Sequence, residues 1–219
     1  MKIKKVELIV FLSIIIILSS IAIITKKSFN YDSVLSKNNW DNYYIHMSKS
    51  DDIYYDEIND VQDILENSSL ILKVKMSNNR EILNQCILSE VKVEEVYKNN
   101  LDIKIEKDND IYIYEPISVQ EDSIYLSDGY IPMNTEDEYI LCLKPLKIPE
   151  KYVMSDKEKI SFMYYNPIYG KKNINNNLYY INEDNTGLKL SDLKEYNVIL
   201  ESKDVEKYNN YNEIMMKYK

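Results

Sequence analysis

Glycine is almost missing from this chain. Three occur in 219 residues, at Gly129, Gly170 and Gly187. Phosphate loops and dinucleotide fingerprints need several closely spaced glycines for backbone approach, so both are excluded. Histidine is reduced to His46 and cysteine to Cys86 and Cys142. A zinc site takes three or four ligands, normally His or Cys, and these three are widely scattered. Ser-His-Asp and Cys-His catalysis would both have to recruit His46, and no serine stands in a nucleophile-elbow context. Both cysteines lie in apolar strand patterns, where a thiol is usually inert packing. Arginine occurs once, Arg80, beside 26 lysines. The chain offers no catalytic, cofactor-binding or metal-ligating set, and none is assigned.

Isoleucine, lysine, asparagine and tyrosine together make up 102 of the 219 residues. That bias matches an AT-rich coding sequence, so the richness in Tyr and Asn is discounted before it is read as function. One long apolar run exists. Residues 8–24 carry no charge over 17 positions, with Lys2, Lys4 and Lys5 before them and Lys26 and Lys27 after. A helix of about 20 apolar residues spans a bilayer, with a tolerated range of roughly 17–25. The run predicts a single-pass anchor contacting the membrane through residues 6–24. Its N-terminus lies inside and residues 28–219 outside the cell membrane. The alternative is a secreted chain cleaved near Ala22, after Ser20 and Ile21. The uncleaved anchor is preferred because Ile23 and Ile24 carry the run straight into the lysines. Residues 28–219 hold 22 basic and 35 acidic residues, net −13. Such a charge repels phosphate backbones and argues against nucleic-acid partners.

Four segments follow: the anchor with flanking lysines (1–27), a tether or loosely docked segment (28–50), a β-barrel (51–150), and a C-terminal extension with a hairpin and a terminal helix (151–219). In 51–69, Tyr54, Ile58, Val61 and Leu65 form one helical stripe, with Asp51 and Asp52 at its start. The period then switches to two. Residues 70–76 predict a first strand. Residues 82–98 predict one long strand bent near Ser89, where the apolar phase changes. Residues 101–105 and 111–113 predict two strands about a turn at 107–110. In "GYIPMNTEDEYILCLKPL", residues 130–133 predict a short edge strand, 134–137 a turn, and 139–143 a strand buried on both faces and ended by Pro145. A strand in "ISFMYYNPIYG", a hairpin about 184–187 and a helix bearing Val205, Tyr208, Met215 and Tyr218 complete the reading. The fold class is mainly β with a few helices: a transmembrane helix, then a small antiparallel barrel of five or six strands.

The succession "SSLILKVKM", "VKVEEVYKNN", "IYIYEPI", "GYIPMNTEDEYILCLKPL" and "YGKKNI" resembles an uncharacterised group of membrane-anchored proteins of AT-rich Gram-positive bacteria. Its strand order is similar to oligomer-binding-fold barrels, including the netrin-like modules of metalloprotease inhibitors. The resemblance covers residues 51–175 and implies an oligomer-binding-fold-like barrel. Those inhibitors act through a free N-terminal Cys and several disulfides, which this chain lacks, so no functional residue is carried over.

Paired acids (Asp51-Asp52, Glu94-Glu95, Asp108 with Asp110, Glu183-Asp184) are expected by chance among 36 carboxylates. The turns at 107–110 and 182–186 offer oxygens but match no calcium loop, and read as solvated turns. Aromatic clusters stand at 40–44, 163–170 and 178–180. Exposed Tyr and Trp can stack on sugars or anchor a partner, though tyrosine also suits half-buried strands. The leading expectation is a non-enzymatic extracytoplasmic module binding a protein, peptide or cell-wall component. A hydrolase of cell-surface glycan working with carboxylates alone, and a structural subunit of a membrane complex, are the alternatives.

Overall fold

The computed structural model describes residues 5–28, 40–48, 58, 60–83, 85–120, 123–135, 137–181 and 187–218. The chain forms two compact units, Met1–Asn38 and Asn39–Lys219. In the first, helix α1 spans Lys5–Ser28. Its described side chains are residues 12–23 and 25. Among the described residues no helix is long and apolar enough to cross a membrane. The expected anchor is therefore not established by the structure. The hydroxyls of Ser19, Ser20 and Thr25 each donate to the carbonyl four residues earlier, at 2.8 Å. That leaves no hydroxyl hydrogen of these three exposed on the helix surface.

The second unit is built on a closed five-strand barrel. Its strands are β2 (Leu70–Ile82), β3 (Ile87–Asn99), β4 (Asp110–Glu115), β7 (Glu138–Pro145) and β8 (Ser161–Tyr164). Around the barrel the order is β2-β3-β4-β8-β7, and β7 returns to β2. All neighbours are antiparallel except β4 and β8, which are parallel. The expectation of a wholly antiparallel barrel is corrected on that one pair. It follows from the odd strand number: five strands closed into a ring cannot alternate direction at every neighbour, so one pair must be parallel. Register shifts at 71/72, 73/74 and 76/80 on β2 add local twist, which a small barrel needs to close.

Further strands lie outside the barrel. β1 (Tyr44–Ser48) runs parallel to β6 (Ser123–Ser127), which pairs with β5 (Ile117–Gln120). β9 (Lys171–Asn173) extends the large sheet from β7. β10 (Tyr180–Ile181) pairs in parallel with β11 (Ile199–Leu200). Helices α2 (Val61–Asn67), α3 (Asp156–Lys159) and α4 (Val205–Met215) complete the chain.

β7 explains the apolar run at 139–143. Ile140 and Cys142 join Ile71 in a cluster with Val61 and Ile64 of α2 and Tyr208, Tyr211 and Met215 of α4. The alternate residues, Leu141 and Leu143, are register partners of Leu72 and Leu70 and face the barrel interior. Both faces are therefore apolar, as the sequence required. The terminal helix also forms where expected, with Asp204 at its N-cap.

Several sequence expectations are corrected. Helix α2 starts at Val61, where Asp60 accepts from Gln62 N–H at 3.0 Å and Asp63 accepts from Asp60 N–H at 3.0 Å. The expected start at Asp51 and Asp52 lies outside the described residues. The long strand expected at 82–98 starts instead at Ile87, because Ile82 ends β2 and the chain turns between them, where Leu83 N–H donates to the Cys86 carbonyl at 2.9 Å. The irregularity expected near Ser89 belongs instead to β2, opposite it. Residues 101–105 are not a strand; they loop to the turn where Asp108 adopts φ +68. Residues 130–133 are a buried loop, bridged once from Tyr130 to Val198. At its head Gly129 has φ +81 and sits against Ile199, whose carbonyl oxygen would lie 2.1 Å from an added Cβ. Of the hairpin expected about 184–187, residues 182–186 lie outside the described residues, and the preceding β10 pairs with β11. Part of the expected tether, 44–48, is β1.

Leu141 is fully buried. Leu141→Ala is expected to cost about 2–5 kcal/mol. Glu150→Ala, on an exposed loop, is expected to stay within about 0.5 kcal/mol. Thermal melting of both beside wild type checks this, and equal small shifts would contradict a two-faced central strand.

Candidate functional site

The barrel interior contains one residue that its apolar pattern does not announce. Along β4, Ile111, Ile113 and Glu115 share the buried face, and Glu115 is 0% exposed. A buried carboxylate is stable only if its oxygens are matched by donors. Here they are. One oxygen accepts from Arg80 Nε at 3.3 Å and from the Ser89 hydroxyl. The other accepts from the Tyr130 hydroxyl at 2.7 Å and from Met133 N–H at 2.9 Å. The Tyr130 and Tyr164 hydroxyls lie 2.8 Å apart.

Each donor is placed by a different element. Arg80 stands near the end of β2, past its last bulge. Ser89 is the polar member of the buried series Ile87, Ser89, Val91, Val93 on β3. Tyr130 and Met133 come from the buried loop, and Tyr164 from the end of β8. Arg80 Nη2 also donates to the Met133 carbonyl, so the loop is held through both its N–H and its C=O. Beside them Lys171 of β9 is 3% exposed. Its amine donates to the Ile131 carbonyl and lies 4.3 Å from the centroid of the Tyr130 ring.

Burial dominates the electrostatics. It pushes the Tyr130 and Tyr164 phenols well above the ordinary tyrosine value, and the Glu115 charge adds to this. Burial lowers Lys171 from 10.5 to about 7; Glu115 and Asp137 oppose that shift and Arg80 aids it.

Above this network opens a cleft of about 330 Å³. Arg80 forms part of its floor, with its guanidinium carbon 4.9 Å from the centroid of the Trp40 ring. The buried loop supplies Ile131, Pro132 and Met133, followed by Asn134 and Thr135. Leu190 and Lys194 form the opposite wall, and the Lys194 amine pairs with Asp41 at 2.6 Å.

The residues weighed from sequence fall elsewhere. His46 is exposed on β1, its ring stacked 5.1 Å from that of Tyr125. Cys86 lies in the turn between β2 and β3, Cys142 under α2 and α4, and both thiols are free. Burial raises Cys86 to about 11 and Cys142 to about 12, so neither is a thiolate near neutral pH. Among the described residues no three His, Cys, Asp or Glu are grouped to hold a metal ion. The turn at 182–186 lies outside the described residues, as do Asp51, Asp52, Glu183 and Asp184. Of the aromatic clusters, 163–170 is largely interior, and only the one at 40–44 reaches the cleft, through Trp40. Sequence reasoning missed Arg80, Glu115 and Lys171. The available signal was period: Glu115 continues the Ile111–Ile113 phase.

No protein-family model matches the chain, and no curated protein matches it.

Glu115→Gln removes the charge partner of Arg80, whose side chain is 12% exposed. Breaking one side of a buried pair costs about 3–5 kcal/mol, so a drop of this order in chemical denaturation is expected. Lys171 makes a separate, pH-dependent prediction. Its folded value is below its unfolded one, so between pH 7 and 10.5 the unfolded chain binds more protons and stability rises with pH. The burden of charging Lys171 is full below about pH 7 and fades above it. Each unit of displacement is about 1.4 kcal/mol, so Lys171→Met is expected to be several kcal/mol more stable at pH 7. Its advantage should shrink steadily to pH 9. The difference between the two stability curves is the measurement, because contributions of the cysteines and tyrosines cancel in it; parallel curves would refute the assignment.

Proposed function

We propose that this chain is a membrane-anchored, extracytoplasmic β-barrel module that binds a protein, peptide or cell-wall component in the Trp40–Arg80 cleft without transforming it. One observation carries the reading: the ionisable groups at the cleft are already committed to one another. Glu115 accepts four hydrogen bonds beneath the floor, and Asp41 is held by Lys194. A glycan hydrolase working with carboxylates needs two acids about 5–9 Å apart, with one able to exchange a proton with substrate. Among the described residues, two such available acids do not line this cleft. Its lining is the Trp40 indole, the apolar Ile131, Pro132 and Leu190, the Thr135 hydroxyl, and the Asn134 carboxamide, whose amine donates to Asp137 and to the Lys194 carbonyl. A concave surface that combines apolar walls with placed polar groups suits recognition.

The barrel order β2-β3-β4-β8-β7, with its single parallel pair, supports the resemblance to oligomer-binding folds. Such barrels hold extended oligomers across one face. The net charge of −13 on residues 28–219 weighs against a nucleic-acid oligomer. The anchor rests on the uncharged run at 8–24, the lysines that bracket it, and the internal bonding of Ser19, Ser20 and Thr25. In hydrocarbon every polar group must be satisfied internally. The topology follows the same lysines: the N-terminus inside, residues 28–219 outside.

Trp40 is the only tryptophan, so the cleft carries its own reporter. Solubilised cell-wall fragments, or peptides released from surface proteins, are expected to change its emission saturably. Thr135→Arg, which fills the mouth from an exposed position, is expected to weaken that binding at least tenfold. An emission unmoved by either class of material, or a saturable change indifferent to Thr135→Arg, would refute the cleft as the binding site.

A further inference from the structure

We propose that the outer face of the β1-β6-β5 sheet is a second binding site, one that takes a neutral glycan strand by stacking its sugar rings against His46 and Tyr125. No residue named for it lines the Trp40–Arg80 cleft, so the inference stands apart from the cleft reading. Alternation sets the face. Ile45, Ile117, Val119, Ile124 and Leu126 are buried. The residues between them form two cross-strand rows, Tyr44–Ser123–Gln120 and His46–Tyr125–Ser118. Tyr44, His46 and Gln120 are exposed, and Ser118, Ser123 and Tyr125 are half-buried. Residues 28–219 hold 22 basic and 35 acidic side chains, yet none of these six is Asp, Glu, Lys or Arg.

The His46 and Tyr125 ring centroids are 5.1 Å apart, with 26° between the ring planes. Neighbouring strands are spaced about 4.8 Å. The match means that the two rings stand upright on the sheet, face to face, instead of lying flat on it. Each ring then turns its second face along the sheet. Beyond Tyr125 comes Ser118, its register partner on β5. Beyond His46 comes Gly187. Tyr44 bridges Lys189 in antiparallel register, and Ile45 N–H donates to the Leu188 carbonyl at 2.9 Å, which sets Gly187 opposite His46. A Cβ added at Gly187 would meet nothing within 4 Å. The stacked pair is thus a ridge with a small residue on either side. Cross-strand pairing accounts for the stack itself. It does not account for the small neighbours, which leave both outer ring faces open.

The chemistry of the face selects the occupant. A pyranose ring carries C–H groups on its faces and hydroxyls around its rim. The C–H faces suit the open aromatic faces. The rim hydroxyls suit the Ser118 and Ser123 hydroxyls and the Gln120 amide, which both donate and accept. A protein partner is recognised through an apolar centre, and here serines stand between the rings. An acidic polymer is recognised through ammonium or guanidinium groups, which the six residues do not supply. Lys189 borders the face, but its ammonium lies over the Tyr44 ring, 5.6 Å from the centroid.

Calorimetry of the full chain, in a phosphocholine detergent that carries no sugar, tests this with cellohexaose, the N-acetylglucosamine hexamer and the galacturonate hexamer. Saturable binding of at least one neutral hexamer is expected, and none of the acidic one. His46→Ala and Tyr125→Ala are each expected to weaken that binding roughly tenfold, and Tyr125→Phe, which keeps the ring, less than about threefold. His46 is exposed, so His46→Ala tests the site even where Tyr125→Ala lowers the melting temperature. Binding of neither neutral hexamer, equal binding of the acidic one, or unchanged affinity in both alanine variants would overturn the site. So would a dimer, seen by sedimentation and split by His46→Ala, in a chain that binds no sugar; the face would then belong to a second copy.

Discussion

The Glu115 carboxylate is the constraint on which the rest of this barrel depends. It stands at the end of β4 with no exposed surface, and four donors from three other segments converge on it. A buried charge left partly satisfied is worse than none, so the donors must arrive together. That condition sets the position of Arg80 after the β2 bulge, keeps Ser89 small and polar in an apolar series, and pins the loop at 130–133 over the barrel end. Tyr130 passes the same constraint on to Tyr164 on β8. One side chain thus couples β2, β3, β4, β8 and the cleft floor.

The opposite requirement governs β7. Residues 139–143 of that strand carry no charge because both of its faces meet apolar neighbours there, the barrel interior on one side and α2 with α4 on the other. Part of the tyrosine content is absorbed here. Tyr169, Tyr208 and Tyr211 pack ring against ring around the terminal helix, at centroid separations of 5.6 to 6.2 Å. Such pairs add modestly to the burial of large aromatic surfaces. These tyrosines are structural, and among the described residues the one aromatic lining the cleft is tryptophan.

The chemistry of the cleft follows from the network below it. Arg80 looks like an anion-binding group when seen from the solvent side, but Glu115, Ser89 and Met133 already take its Nε and Nη2. Lys171 has a lowered proton affinity, yet its amine is enclosed and turned to the Ile131 carbonyl. The charges therefore hold the floor rigid instead of offering it for reaction. Recognition falls to Trp40, to the loop and to Leu190, all presented on that rigid base.

The sequence by itself determined the local features, because each depends on neighbours along the chain. The period-two runs mark strands, Pro145 ends β7, and Val205 to Met215 make a helix that buries Tyr208, Tyr211 and Met215. The double-sided run at 139–143 even declared a strand with two buried faces. Other features were decided only by tertiary structure. That β2 runs on to Ile82 and β3 begins only at Ile87 depended on the pairing of the two, since a hairpin and a bulge leave similar traces in a short apolar pattern. The parallel pairing of β4 with β8, and of β10 with β11, depends on where long connections travel. Period alone can mark Glu115 as inward-facing, but in a chain with 36 carboxylates nothing local tells a buried one from a misplaced one. What makes it tolerable, Arg80 from 35 residues before it and Tyr130 from 15 after, meets it only when the barrel closes.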